Sequence, residues 1–85
     1  MLSVSEISVI YKYMEDKYRI PYVNACVRAF AARFSLSVPA AFRYLKRFQG
    51  MNFLEDFYDV EHLLSINEAV DDLVLVCKKN GGLLV

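Results

Sequence analysis

The chain has 85 residues, ten Lys and Arg against ten Asp and Glu, and only three Gly and two Pro, which is the size and texture of one small domain spanning residues 1–85. Apolar residues make up 56% and include six Tyr and six Phe, so intrinsic disorder is excluded. A domain of this length buries only about 60% of the surface its unfolded chain exposes, and the apolar excess should leave hydrophobic side chains outside for a partner or a second copy.

Charged residues interrupt every apolar run before it reaches a membrane-spanning length, and the first twenty residues carry Glu6, Lys12, Glu15, Asp16, Lys17 and Arg19. No transmembrane helix or secretory signal is expected, and the expected compartment is the cytoplasm. The zero net charge hides an asymmetry. Residues 1–50 hold eight bases and three acids, whereas residues 51–85 hold two bases and seven acids. Either the halves pack with complementary rims, or a basic and an acidic face are each presented to something else.

Helical spacing dominates throughout, and the expected fold is all-α, a compact bundle of about five short helices. In the first, over 4–18, Ser3 and Glu6 form a capping box, and Val4, Ile7, Tyr11, Met14 and Tyr18 form a stripe. Pro21 predicts a break, with a second helix running from there to Phe34 and burying Val23, Cys26, Val27, Phe30 and Phe34. Ser37 caps a third over 38–49, with Val38, Ala41, Phe42, Leu45 and Phe48 inward and Gly50 as its end. Asn52 and Glu55 suggest the cap of a fourth, of about two and a half turns, burying Leu54, Phe57 and Tyr58. After a turn at His62, the Ser65 and Glu68 box opens a fifth, which buries Ile66, Ala69, Val70, Leu73 and Cys77 and stops at Asn80-Gly81-Gly82. The two cysteines lie in apolar helical patterns without Cys-x-x-Cys spacing and read as reduced, buried thiols.

Residues 30–45 have the helix, turn and helix of a helix-turn-helix, with Arg28, Arg33, Arg43, Lys46 and Arg47 placed to meet phosphates. The positions that would enter a major groove are Val38, Pro39, Ala40 and Phe42, and apart from Arg43 they offer nothing to base edges. Nucleic acid is therefore the weaker partner expectation. Glu55, Asp59 and His62 share a helical spacing, but with one His in the chain neither a metal site nor an acid–base site is assembled, and His62 reads as the group that orders a turn. No motif for nucleophilic catalysis or phosphate cradling occurs, so neither catalytic residues nor a cofactor is expected. Tyr13, Tyr22, Tyr44 and Phe53 fit the buried stripes poorly and, if clustered outside, would anchor a protein partner.

The stretch Phe53-Leu54-Glu55-Asp56-Phe57-Tyr58-Asp59-Val60-Glu61-His62, with Ser65-Ile66-Asn67-Glu68-Ala69-Val70-Asp71-Asp72 and the ending Asn80-Gly81-Gly82, resembles a family of short, uncharacterised bacterial helical proteins. In that family a Tyr and a His four residues apart precede an acidic final helix. The resemblance covers about residues 22–82 and rests on Tyr58, His62 and Asp72, while residues 1–20 look like an added N-terminal helix. Members often lie beside genes for ADP-ribosyltransferase-like toxins, so the resemblance implies an antitoxin or accessory partner. Together these readings give a non-enzymatic protein-interaction module, able to form a homodimer when the partner is absent, with a helix-turn-helix DNA-binding protein or autoregulator as the alternative.

Overall fold

The computed structural model describes the backbone of residues 4–83 and the side chains of residues 19–83. Its elements are all helical: α1 (Val4–Arg33), α2 (Val38–Arg47), α3 (Gly50–Asp56), α4 (Tyr58–Glu61) and α5 (Ile66–Lys79). The all-α expectation holds, but the elements are divided differently. The two helices expected on either side of Pro21 are one helix of 30 residues with Pro21 inside it. An interior proline removes one helical hydrogen bond and costs about 3 kcal/mol. Here Pro21 is exposed, while Cys26, Val27, Phe30 and Ala31 downstream are buried, so tertiary packing offsets that local cost. The expected stripe of Val4, Ile7, Tyr11, Met14 and Tyr18 lies outside the described side chains.

The turn after α1 is closed by Ser35, whose φ of 55° is left-handed, and by the Leu36 N–H donating to the Ala31 carbonyl at 2.9 Å. This 6→1 closure returns an orphan carbonyl of the helix end to use. Ser37 then caps α2 as expected, its Oγ accepting from the Ala40 N–H at 3.2 Å. Ala41 and Leu45 are fully buried. Val38 and Phe42, expected inward, are instead 40% and 44% exposed. They line a groove shared with α1 and α3 rather than entering the core.

The fourth expected helix is two pieces. It starts at Gly50, not at Asn52, and its N-cap is Gln49, with φ 72°; the Asn52 amide donates to the Gln49 side-chain oxygen at 2.6 Å instead of capping. Gly50 is buried for a different reason than ending a helix: a Cβ there would stand 2.7 Å from Leu45 Cδ2. Leu54 is fully buried, but the helix breaks at Phe57, where φ is −113° and ψ 21°, and Phe57 is 52% exposed rather than in the core. Tyr58 is half-buried.

Ser65 caps α5 by accepting from the Glu68 N–H at 3.1 Å. Ala69, Val70, Leu73 and Cys77 are buried as expected. Gly81 takes a φ of 96°, and the Gly82 N–H donates to the Cys77 carbonyl at 2.8 Å, closing this end as the first was closed. Arg33 ties the end of α1 to the first half of α5, with Nη1 on Asp71 Oδ1 at 2.5 Å and Nη2 donating to the Asn67 carbonyl at 3.3 Å. The basic and acidic halves thus meet at this edge; the exposed pair is worth roughly 0.2–1 kcal/mol.

The core comprises Cys26, Val27, Phe30 and Ala31 from α1, Ala41 and Leu45 from α2, Leu54 from α3, and Ala69, Val70, Leu73 and Cys77 from α5. Leu45→Ala should lower stability by about 2–5 kcal/mol, because it empties a fully buried site. Leu75→Ala, at a position 56% exposed, should change it by less than about 0.5 kcal/mol. Urea unfolding followed by circular dichroism distinguishes the two.

Candidate functional site

Two features stand apart from the core. The first is a groove of about 620 Å³ walled by α1, α2 and α3. From α1 come Arg19, Ile20, Val23, Asn24 and Val27, from α2 Val38, Pro39 and Phe42, and from α3 Met51 and Glu55. The residues that turned outward on α2 are therefore not scattered. Val38 and Phe42 face Ile20, itself 66% exposed, across a continuous apolar surface whose charges are Arg19 and Glu55. The spacing explains this placement: 38, 39 and 42 follow one helical ridge, while Ala41 and Leu45 on the adjacent ridge take the core.

The second feature gathers the residues of the Tyr58 and His62 pattern. The His62 ring stacks on the Tyr58 ring with centroids 4.6 Å apart and an interplanar angle of 12°. His62 Nδ1 lies 2.6 Å from the Tyr58 carbonyl, which can only accept, so Nδ1 carries the hydrogen. His62 thus orders the turn that leaves α4. Arg19 places its guanidinium 4.8 Å from the centroid of the Tyr58 ring, and Tyr22 meets that ring edge-on at 5.4 Å. Asp72, on α5, neighbours Glu61.

Glu61 is the residue the sequence reading did not single out. It is 5% exposed and is the buried residue of α4, and its Oε2 atom has no hydrogen-bond partner. Burial, followed by the adjacent Asp72 carboxyl, pushes its pKa up to about 7. Two carboxyls can share a hydrogen bond only with a proton between them, so below about pH 7 the pair retains a proton that a separate acid would have lost. The Tyr22 hydroxyl, also buried without a partner of ordinary geometry, is raised by burial and then by the Cys26 thiol and Glu61. Cys26 is raised by burial, opposed by Tyr22, and Cys77 is pushed by burial to about 11. Both are free thiols, neutral at pH 7 and poor nucleophiles. The helical spacing of Glu55 and His62 does not survive the break at Phe57, for Glu55 belongs to the groove. Among the described residues, no group of three His, Cys, Asp or Glu side chains is placed to hold a metal ion.

Of the basic residues considered for phosphate contacts, Arg28, Arg43, Lys46 and Arg47 are exposed, Arg47 lying 5.4 Å from the Phe48 ring centroid, while Arg33 is occupied by α5. Tyr22, Tyr44 and Phe53 form no exposed aromatic cluster. Tyr44 stacks on Phe30 at 5.8 Å and meets Phe48 at 4.7 Å, and Phe53 packs on Phe57 at 5.2 Å. Tyr13 lies outside the described side chains. No helix among the described residues is long and apolar enough to cross a membrane.

These features define a small all-helical protein with an apolar groove walled by α1, α2 and α3 and a buried carboxyl on α4 beside Asp72. Residues 21–80 match a family described as proteins of unknown function, DUF3791, and the chain belongs to that family. The match begins at Pro21 and includes Tyr58, Glu61, His62 and Asp72. No curated protein and no solved structure matches the chain.

The carboxyl pair predicts a pH dependence. Because the pKa of Glu61 is higher folded than unfolded, its contribution to stability is fully present below about 4.5, is lost as the pH rises towards about 7, and stays lost above that. Melting temperatures measured from pH 5 to 8 should fall with rising pH in the native chain. Glu61→Gln, which keeps a donor for Asp72 and cannot ionise, should flatten the profile and give the more stable protein at the alkaline end.

Proposed function

We propose that this protein is a non-enzymatic interaction module that docks a protein encoded beside it in the groove between α1, α2 and α3, as an antitoxin or accessory partner. The observation that carries this reading is the groove, whose apolar lining includes exposed Ile20, Val38 and Phe42. Apolar surface gathered in a concave site is costly to leave in water and gains when covered. The occupant that this shape and lining fit is an amphipathic helix of the partner, its apolar face on Val23, Val27, Phe42 and Met51, with an acid opposite Arg19 and a base opposite Glu55. The toxin relationship comes from the family resemblance. The non-enzymatic character is supported by the chemistry of the groove, where Arg19 and Glu55 are the charged groups among apolar walls and both cysteines lie buried elsewhere.

A DNA-binding reading has one observation in its favour. The described part of α1 and α2 meet at 104° across a four-residue turn, within the angular range of helix-turn-helix pairs. The start of α2, which would read bases, is the part built of Val38, Pro39 and Phe42, so the surface that lacks base-reading groups is the surface that lines the groove. Arg43, Lys46 and Arg47 then account for weak phosphate attraction only. In the partner's absence a second copy covering the same groove would give a homodimer.

Phe42→Asp and Val38→Asp should each weaken binding of the purified neighbour-encoded protein by about tenfold or more, since a charge is buried without a pair. Both positions are partly exposed, so the melting temperature of the free protein should stay close to that of the parent. Calorimetric titration reads the affinity. Undiminished binding by both variants would remove the groove from the interface. Sequence-preferring binding to the upstream duplex that Arg43→Ala abolishes would favour the DNA reading instead. Light scattering across a dilution series reads the homodimer.

A further inference from the structure

The segment around α4 is folded inside out. Its apolar residues Phe57, Val60 and Leu63 are 52%, 60% and 77% exposed, while the residue it buries is Glu61, at 5%. A short helix normally holds to its protein by apolar anchors; here the half-buried Tyr58 ring against Tyr22 and Arg19 is one hold on α1, and the fully buried residue is a carboxyl group. The local hydrogen bonds are those of one or two helical turns: His62 N–H to the Tyr58 carbonyl at 3.0 Å, Leu63 N–H to Val60 at 3.2 Å and Leu64 N–H to Glu61 at 3.0 Å. Such a turn is marginal alone, so its attachment depends on what Tyr58 and Glu61 meet.

Around Glu61 and its ring of neighbours the charged and titratable groups come from each packed element. From α1 these are Tyr22 and Cys26, with Arg19 over the Tyr58 ring, and from α5 Asp72. On its own segment they are Tyr58 and His62, the latter turned to the Tyr58 ring and carbonyl. Glu61 Oε2 has no hydrogen-bond partner, and the side-chain group that bonds with Glu61 is another carboxyl. We propose that residues 57–64 form a proton-operated latch, held to α1 and α5 while Glu61 and Asp72 share a proton and released when the pair loses it. With the proton present, Glu61 is a neutral donor to the Asp72 carboxylate and its burial costs little. Without it, two negative charges face each other and one of them is out of water. Two routes relieve this, re-protonation or movement of Glu61 into solvent. The movement withdraws only the half-buried Tyr58 and Leu64, since Phe57, Val60 and Leu63 are already exposed. The device does not need the partner that fills the groove, although Arg19 belongs to both, lining the groove and lying over the Tyr58 ring.

Amide hydrogen exchange on the intact chain, corrected for the intrinsic effect of pH, tests the latch segment by segment. Between about pH 6 and pH 8, protection of residues 58–64 should fall by about tenfold relative to residues 69–77 of α5, as expected when opening is linked to release of one proton. Glu61→Gln should remove the step. Asp72→Asn, which takes away the like charge and leaves Glu61 in place, should move the step to lower pH. His62→Ala should retain it, since His62 faces Tyr58. A flat profile in the native chain would overturn the proposal, as would a step that survives in Glu61→Gln or disappears in His62→Ala. A loss of protection shared equally by residues 69–77 would also overturn it, because that is global unfolding rather than a latch.

Discussion

Everything in this domain leans on four residues of one helix. Cys26, Val27, Phe30 and Ala31, between Cys26 and Ala31 of α1, provide the surface on which the buried side chains of α2, α3 and α5 converge. None of the later helices is long enough to be stable alone: α2 has 10 residues, α3 seven, α4 four and α5 14. Their helicity is a consequence of packing on this post, with caps at Ser37 and Ser65 setting where two of them begin. Pro21 is tolerated for the same reason: the helix is pinned immediately beyond it.

A core this small cannot accept every apolar residue of a sequence that is 56% apolar. The excess is sorted into two places with different chemistry. On one side Ile20, Val38 and Phe42 meet across a concave groove. On the other, Phe57, Val60 and Leu63 point out from a segment that turns a carboxyl inward. The helix-turn-helix appearance of α1 and α2 belongs to the first of these. Its angle is set by Ala41 and Leu45 packing beside Phe30, and the helix that would read bases carries apolar residues where polar ones would be needed.

The Tyr58 and His62 pattern gains its meaning from what stands between the two residues in sequence. Tyr58 receives Arg19 and Tyr22 from α1 and His62 from its own turn, which together orient the last turn of α4. That orientation puts Glu61 under the segment and against Asp72. A structural motif thereby positions an ionisable pair at the short helix that joins α3 to α5.

Period and capping chemistry, both local properties, were enough to determine the helical class, the caps at Ser37 and Ser65, the left-handed Gly81, and a core through Cys26, Phe30, Leu45, Leu54, Leu73 and Cys77. The same local reading could place His62 at a turn, because a lone His beside a helix end has few other uses. It put a break at Pro21 and continuity at Phe57, and both were reversed, since whether a helix survives a proline or breaks without one depends on what its next turn packs against. It put Val38, Phe42 and Phe57 inside, because hydropathy states that a side chain prefers burial but not whether eleven others have already filled the space. Glu61 was passed over among seven acids in the second half of the chain, since nothing in a sequence distinguishes a solvated carboxylate from one that the fold encloses beside another. Burial, and the shared proton that follows from it, exist only once α1, α4 and α5 have been brought together.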